Sequence, residues 1–428
     1  MSYAEFLARK RLAVIDHGRE VDPSELHSSL FGFQRSVTTW ALRKGRAAIF
    51  LDTGMGKTRI QVEWARLSAD RSLIVAPLSV ARQTVREAAT GLGVEVRYVR
   101  SPDAVDGPGI YATNYELADR FDPAAFGAVV LDESSILKNV AGKMRERLTE
   151  SFRCVPYRLA CTATPAPNDV AELCNHAEYL GAASRSEMLA AYFIHDDDGW
   201  RLKGHAAESM YRFVGSWAVA ARRPSDLGYE DEGFDLPPLT ILPVVVDGEL
   251  TADGQFFATE LGGVGGRHKV RRQTLDIRVA RAVELCADDE QWIVWCGLNE
   301  EASTIAAAVD GAVNVPGSWS PDDKAVALES FQDGATRVLV TKPTIAGYGM
   351  NFQNCHKMIF LGLSDSYEQY YQAIRRCYRF GQMRPVEAYV IVSEIEQQIV
   401  ENVRAKEAEA ARLTDALVRL ITSERTAA

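Results

Sequence analysis

The chain has 428 residues, of which 47% are hydrophobic and 25% are charged, and its formal net charge is −10. This length allows two or three domains with proper cores, and the composition is that of an ordinary globular protein. The negative net charge excludes a histone-like or simple cationic nucleic-acid binder, because any contact with nucleic acid must then come from local basic patches.

The first half of the chain alternates short apolar runs with amphipathic segments such as 57–69 and 79–91. The apolar runs predict five buried strands: AAIFLD (47–52), SLIVAP (72–77), GIYATN (109–114), AVVLDE (128–133) and RLACTATP (158–165). This alternation is typical of a parallel sheet with helices on both faces.

The alternation lapses over 184–235, where RRPSDLGYEDEGFDLPPLT is rich in proline, glycine and acids and predicts a linker at about 222–240. A second set of predicted strands follows: TILPVVV (240–246), QWIVWCG (291–297), TRVLVTK (336–342), HKMIFLGL (356–363) and VEAYVIV (386–392). The sequence therefore predicts two α/β lobes, residues 1–235 and 236–428. Apolar spacing in the charged tail at about 394–428 predicts a helix, packed on one lobe or paired with a partner in a coiled coil.

Seven cysteines are scattered along the chain without a C-x-x-C pair, so neither a zinc ribbon nor a thioredoxin-type site is indicated. The odd count predicts reduced, mostly buried thiols. The N-terminus MSYAEFLARKRLAVIDHG lacks the apolar core of a signal peptide, and no window reaches the roughly 18 apolar residues of a membrane span. We therefore expect a soluble protein of the cytoplasm.

A glycine-rich stretch, FLDTGMGKTRI (50–60), joins the first predicted strand to a helix. Such a turn lets backbone N–H groups surround phosphate oxygens at the positive end of the helix. The long pattern G-x-x-x-x-G-K-[ST] would need glycine at position 51, which is leucine, so the match is to the shorter G-x-G-K-T. An ordinary strand-to-helix turn is the alternative. The predicted ATP contacts are Thr53, Gly54, Met55, Gly56, Lys57 and Thr58, with Lys57 on the β and γ phosphates and the Thr58 hydroxyl on Mg²⁺.

Two adjacent acids end the strand AVVLDESS, about 75 residues after Lys57. Asp132 would hold the Mg²⁺ shell, and Glu133 would orient and polarise the attacking water. Adjacent acids after a strand are common surface residues, but after a glycine-rich phosphate turn they indicate an ATPase. Gln34 lies 23 positions before Lys57, where its amide would read the adenine edge unless it is simply an exposed helical residue.

Several motifs together carry a resemblance, above all LDESSILKN, LACTATPAPND and QAIRRCYRFGQ. Over roughly residues 25 to 400 the chain resembles helicase superfamily 2, specifically the Swi/Snf-type DNA translocases, in a compact form similar to bacteriophage or mobile-element members. The resemblance implies two tandem RecA-like lobes, each a mainly parallel sheet, with an ATP site in the cleft between them. It also implies ATP and Mg²⁺ as cofactors. One departure is Ser135, where relatives carry a histidine.

By this resemblance, Arg376 and Arg379 are arginine fingers, spaced i, i+3 on one helix face, that stabilise the transferring phosphoryl group. Gln372, one turn earlier on that face, is expected to help sense the γ-phosphate. Arg375 would point elsewhere as a surface or pairing residue.

The resemblance also implies that nucleic acid lies on Ser79, Thr113, Thr341 and Lys342, for each of which a strand-end cap is the alternative. In addition, GGVGGRHKVRRQTLDIRVAR (262–281) carries six basic residues against a single acid. We interpret it as a flexible DNA-contacting element that uses Arg271 and Arg272; a solvated helix face explains the charges equally well.

The predicted function is a motor that couples Mg-ATP hydrolysis to movement along double-stranded DNA. Three alternatives stay open: a strand-separating DNA or RNA helicase, a motor or scaffold subunit of a restriction, modification or recombination complex, and a scaffold with a degenerate ATPase. Double-stranded DNA is the expected partner, with single-stranded DNA or RNA as the alternatives. We expect no membrane partner, and the sequence does not specify a protein partner.

Overall fold

A computed structural model describes residues 14–138, 143–196, 199–246, 272–346, 351–363, 366–393 and 397–427. The chain forms two compact units, the first comprising Met1–Glu232 with Glu409–Ala428 and the second Gly233–Ala408. The division falls at 232/233, inside the segment predicted as a linker. Residues 409–428 group with the first unit, whereas the sequence interpretation assigned the whole tail to the second lobe.

The described residues of the first unit form nine strands. They are β1 (Arg46–Leu51), β2 (Arg71–Ala76), β3 (Val96–Tyr98), β4 (Gly109–Asn114), β5 (Ala128–Asp132), β6 (Tyr157–Cys161), β7 (Phe193–Asp196), β8 (Gly199–Leu202) and β9 (Ala218–Ala221). Seven of them form one parallel sheet in the order β3-β4-β2-β5-β6-β1-β9, while β7 and β8 pair as a separate antiparallel hairpin. The central strands are buried along almost their whole length, as expected for a parallel sheet covered on both faces.

Among the described residues, one α-helix precedes β1, namely α1 (Gly32–Lys44), and six lie between strands: α2 (Lys57–Ser68), α3 (Leu78–Leu92), α4 (Lys143–Ser151), α5 (Leu173–Leu180), α6 (Arg185–Tyr192) and α7 (Ala207–Gly215). Short 3₁₀ helices complete the unit: Pro23–Glu25, Pro102–Ala104, Tyr115–Arg120, Pro123–Ala125, Ser134–Lys138, Phe152–Cys154, Val170–Glu172, Gly204–Ala206 and Pro224–Leu227.

The second unit has a six-stranded parallel sheet in the order β10-β15-β14-β11-β13-β12. Its strands are β10 (Leu239–Val246), β11 (Trp292–Cys296), β12 (Ala312–Asn314), β13 (Val338–Thr341), β14 (Lys357–Leu361) and β15 (Val386–Ser393). Its helices are α8 (Leu275–Leu285), α9 (Asn299–Ala308), α10 (Pro321–Gln332), α11 (Pro343–Ala346) and α12 (Tyr367–Cys377). Helix α13 (Gln397–Ala427) begins in this unit, and its residues from 409 onward belong to the first.

The predicted fold class is confirmed: there are two α/β units, each built on a parallel sheet, and all ten predicted strands are present within a few residues of their predicted ends. The seven cysteines are free thiols, six of them buried, as predicted. In the described part of the chain, no helix is both long and apolar enough to cross a membrane.

The order of the first sheet determines where the predicted motifs meet. Strands β5, β6 and β1 are neighbours and run parallel, so the segments that follow Asp132, Cys161 and Leu51 emerge side by side at the same sheet edge. Ligand sites of open α/β sheets lie at this edge, outside the carboxyl ends of the strands.

Candidate nucleotide site and nucleic-acid contacts

The glycine turn after β1 has the conformation that its sequence demands. Gly54 and Gly56 have φ values of 93° and 74°, in the region that only glycine enters without strain. Gly56 is the N-cap of α2 and provides no side-chain cap to the first turn of the helix. The N–H groups at the start of α2 therefore lack a capping side chain, which suits an anionic ligand.

Lys57, the first residue of α2, folds back over this turn. Its Nζ donates to the main-chain oxygens of Leu51 at 2.8 Å and Asp52 at 3.3 Å. The Lys57 charge also acts on the carboxyl group of Asp132, where it opposes the rise in pKa that burial causes. The structure thus brings the predicted phosphate-binding lysine and the predicted metal ligand into one site.

Asp132 lies at the end of β5 and is 4% exposed. Its Oδ1 accepts hydrogen bonds from Gln61 Nε2 at 2.8 Å and from the Glu133 main-chain N–H at 3.0 Å. Burial, followed by the charge of Glu133, raises the pKa of Asp132 to about 6, against the opposing effects of Gln61 and Lys57. Gln61 lies one helical turn after Lys57, so α2 positions both of the side chains that act on Asp132 from this helix.

Glu133 is the one non-glycine residue with positive φ, at 56°, among the residues that the structure describes. This conformation strains a glutamate, and such strain persists only where the surroundings hold it. The carboxylate of Glu133 is half-buried, and its Oε2 lies 3.5 Å from the Thr162 hydroxyl. Thr162 in turn accepts a hydrogen bond from the Thr164 N–H at 3.1 Å. The segment after β6 therefore meets the acid pair, as the sheet order requires.

The sequence interpretation missed three side chains that hold this site. Gln61 is one of them, and Tyr115 is another, since its hydroxyl donates to the Asp132 main-chain oxygen at 2.7 Å. The third is His176 on α5, which shares a buried hydrogen bond of 3.1 Å with Ser134, the residue after Glu133. Nothing in the spacing along the chain brings residues 61, 115 and 176 near the acids. The departure at Ser135 from the motif of the resembled family was the one signal in the sequence that pointed to this region.

Gln34 lies in α1 and is 1% exposed, so it is not the exposed helical residue of the alternative interpretation. Its amide nitrogen donates to the Met55 oxygen at 3.1 Å, and its amide oxygen accepts from the Phe31 N–H at 3.1 Å. A Cβ at Gly56 would lie 2.2 Å from the Gln34 nitrogen. Gln34 therefore packs against the glycine turn and stabilises it through the hydrogen bond to Met55. The predicted contact of Gln34 with adenine stays a prediction.

Arg376 lies on α12 and is 5% exposed, and its Nε donates to the Gln372 main-chain oxygen at 3.1 Å. Gln372 is 4% exposed, and its amide oxygen is buried without a hydrogen-bond partner among the described residues. The Arg375 guanidinium lies over the rings of Tyr371 and Tyr378, 5.0 and 5.2 Å from their centroids, so it is a pairing residue, as predicted. The assignment of Arg376 as a finger stays a prediction.

Arg379 does not share a helix face with Arg376, and this part of the prediction is wrong. Helix α12 ends at Cys377, and the chain then turns through Gly381 with φ 89°. The buried Gln382 amide nitrogen lies within 3.2 Å of the main-chain oxygens of Gln353, Cys355 and Cys377. Arg379 therefore lies beyond the end of α12, whereas the i, i+3 spacing assumed that the helix continues to that residue. The Gln382 bonds, one of which goes to the oxygen of the last helical residue, Cys377, stabilise the turn that follows.

The predicted nucleic-acid contacts differ in accessibility. Ser79 in the first turn of α3 and Lys342 after β13 are partly exposed. Thr113 and Thr341 are fully buried, and their hydroxyls donate to the main-chain oxygens of Val99 at 2.9 Å and Val315 at 3.2 Å. These two hydroxyls stabilise strand ends, the alternative left open for them, and in this structure they cannot reach a phosphate.

The basic stretch 262–281 is only partly described, and Arg271 lies outside the described residues. Arg272 is exposed and lies 3.4 Å from Glu300. Arg278 is fully buried and pairs with Glu301 at 2.9 Å, so it is neither a flexible nor a solvated charge. Its position follows from the buried face of α8, which also contains Leu275, Val279 and Ala282.

Residues 278–381 match the family of the helicase conserved C-terminal domain. No curated protein matches the chain. Among solved structures, the Sulfolobus solfataricus SWI2/SNF2 ATPase core in complex with dsDNA is similar to this chain, with 17% sequence identity and a TM-score of 0.46 over 94% of this chain and 97% of that one. The helicase match lies wholly within the second unit and includes Arg376 and Arg379.

Proposed function

Starting from the helicase domain match of residues 278–381, we propose that this protein hydrolyses ATP with Mg²⁺ and uses the reaction to move along double-stranded DNA. One observation carries the proposal. Three segments that are far apart in the sequence meet in the first unit: the glycine turn with Lys57, the acids Asp132 and Glu133, and Thr162. Phosphoryl transfer needs such a set, because catalysis there depends on positioning and on charge.

The residues present fit a magnesium nucleotide. Gly54, Gly56 and Lys57 would hold the phosphates through backbone N–H groups and the ammonium group. Thr58 and Asp132 would hold the metal; within the described contacts both hydrogen bonds to the Asp132 carboxylate go to Oδ1, which leaves Oδ2 for an ion. When bound, ATP supplies the phosphoryl group whose transfer to water releases the energy for movement.

Asp132 and Glu133 differ in burial, and this difference suits them to different roles. Asp132 is almost fully buried and anchored by Gln61, which suits a fixed metal ligand. Glu133 is half-exposed and held beside Thr162, which suits a group that orients a water molecule and accepts its proton at the carboxylate. Arg376 and Arg379 are proposed to stabilise the charge that develops on the phosphoryl group, as the resemblance implies.

Duplex DNA is the proposed track because the motif order resembles Swi/Snf-type translocases, which move on duplex without separating its strands. With a net charge of −10, the chain would bind DNA through local contacts such as Ser79 and Lys342 rather than through its overall field. Such contacts to phosphates position a protein without reading sequence.

The test is ATP hydrolysis measured with a panel of duplex DNA, single-stranded DNA and RNA of equal length. We expect the largest stimulation with duplex DNA, independent of its sequence. Displacement of a triplex-forming third strand would then show movement along the duplex. Maximal stimulation by RNA, or separation of the duplex strands, would favour a strand-separating helicase instead. Absence of hydrolysis with every substrate would overturn the motor and favour a scaffold.

A further inference from the structure

Behind the acid pair, two polar side chains meet in the interior of the first unit. Ser134 follows Glu133 directly, and its Oγ lies 3.1 Å from His176 Nε2. Both residues are 0% exposed. Ser134 begins a short 3₁₀ helix, Ser134–Lys138, whereas His176 lies on α5, the first α-helix after β6.

The surroundings of His176 keep its ring neutral and fixed. Burial lowers the pKa of His176 to about 4, against the opposing effect of the Glu172 main-chain carbonyl. The Phe50 ring, on β1, packs edge-on against the imidazole with centroids 5.3 Å apart. The hydrogen bond to Ser134 is therefore a bond between two neutral groups, and both would bear a desolvation penalty without it.

Glu133 is the chain neighbour of Ser134, one partner of this hydrogen bond, and its own backbone is strained. Its φ of 56° is unfavourable for a residue with a Cβ, so without restraint the backbone would relax toward negative φ and turn the carboxylate away from Thr162. The strain and a buried hydrogen bond are similar in energy, so the bond at Ser134 can offset the strain. It acts together with the backbone bonds of Glu133, whose N–H donates to Asp132 Oδ1 at 3.0 Å and whose oxygen accepts from the Ile136 N–H at 3.2 Å.

We propose that His176 is a positioning residue: through its hydrogen bond to Ser134, it holds Glu133 in the strained conformation that directs the carboxylate to the reacting water. The inference rests on the proposed ATP hydrolysis and deepens it.

Four variants test this role: His176→Leu and Ser134→Ala remove the bond, His176→Gln keeps a hydrogen-bonding group near the same place, and Ser72→Ala is the matched control. Ser72 is also 0% exposed in the same unit, and its hydroxyl donates to the Ala65 main-chain oxygen at 2.7 Å, away from the acid pair. Ser134→Ala and Ser72→Ala each remove one buried hydroxyl and its hydrogen bond, so a general loss of stability should affect these two alike.

We expect His176→Leu and Ser134→Ala each to lower kcat for ATP on the order of 10-fold with an unchanged KM. The double variant should be no slower than the slower single variant, since both remove the same bond. His176→Gln should recover most of the rate, and Ser72→Ala should lower Tm without changing kcat.

The proposal is overturned if the two bond-breaking variants lower Tm as Ser72→Ala does but keep kcat within twofold of the wild type. It is equally overturned if their losses multiply in the double variant. A wild-type protein that binds Mg-ATP but never hydrolyses it would instead contradict the proposed function, so the two failures are distinguishable. Ser134→Ala, a small change, keeps the test valid if His176→Leu does not fold.

Discussion

Arg278 and Glu301 form an ion pair inside the second unit, with Nη1 and Oε1 2.9 Å apart and side-chain exposures of 0% and 1%. Arg278 Nη1 also donates to the Leu361 main-chain oxygen at 3.0 Å, and Glu301 accepts from the N–H groups of Gly297 and Leu298, just before α9. One buried pair thus joins α8, the end of β14 and the start of α9.

Replacing Arg278 with alanine should destabilise the second unit by about 3–5 kcal/mol, because the substitution leaves Glu301 charged and buried without its partner. Calorimetric melting is the measurement. Arg281→Ala is the matched control: it lies one turn later on the same helix in an exposed pair with Glu284 and should change Tm little. Equal effects of the two substitutions would contradict the structural role of Arg278.

Asp132→Asn should stabilise the nucleotide-free protein at pH 7.5. The folded-state pKa of Asp132 is raised, so folding favours the protonated form, and this contribution is complete below about 4 and lost as the pH rises through about 6. Asparagine keeps the hydrogen bonds from Gln61 and Glu133 without the buried charge. The gain should be at most about 3 kcal/mol.

The measurement is Tm from pH 4 to 8, without Mg²⁺ or nucleotide, for the wild type and Asp132→Asn. The advantage of the variant should shrink as the pH falls below 6. A difference in Tm that is constant across this range would show that Asp132 does not titrate as the buried environment requires.

Glu133→Gln should retain ATP binding and lose turnover by roughly 100-fold or more, because the amide cannot accept a proton from water. Single-turnover hydrolysis and nucleotide binding, measured separately, check this. Glu150→Gln, an exposed acid on α4 paired with Arg153, serves as the control and should hydrolyse ATP normally. Normal hydrolysis by Glu133→Gln would place the water-orienting group elsewhere.

Gly56→Ala should weaken nucleotide binding on the order of 10-fold, because the new Cβ would lie 2.2 Å from the Gln34 amide nitrogen and would disturb the turn. Gly93→Ala is a control for backbone strain alone: its φ is 59°, yet no heavy atom lies within 4 Å of the added Cβ. Both variants should lose about 1–2 kcal/mol of stability to strain. Nucleotide affinity, measured by calorimetry, should fall only for Gly56→Ala.

The sequence was sufficient to predict the strands and turns that a run of consecutive residues identifies. All ten long apolar runs are strands, and the glycine turn has its expected form. The strands that were missed are short or made of small side chains, such as β3 with three residues and β9 with the sequence AVAA. Their place in the sheet depends on neighbours far along the chain, which hydrophobic periodicity does not reveal.

The same difference between local signals and contacts made by folding explains which site residues could be predicted. Lys57, Asp132 and Glu133 could be predicted because each belongs to a motif with fixed spacing. Gln61, Tyr115 and His176 reach the acids only through the folded sheet, so no spacing identifies them. Arg278 was misinterpreted because a cluster of basic residues suggested a surface, although its spacing from Leu275 and Ala282 already places it on the apolar stripe of α8.

The first unit is assembled from two separate stretches of chain, and this has a consequence for dissection of the molecule. Leu417 and Val418, near the C-terminal end, are buried, and Asp415 pairs with Arg222 at 2.5 Å. A fragment that stops at residue 232 would therefore lack part of its own interior and expose the surface that these residues cover. Protease cleavage at the 232/233 junction would leave the missing piece on the C-terminal fragment, residues 233–428, so the two products should copurify until denatured.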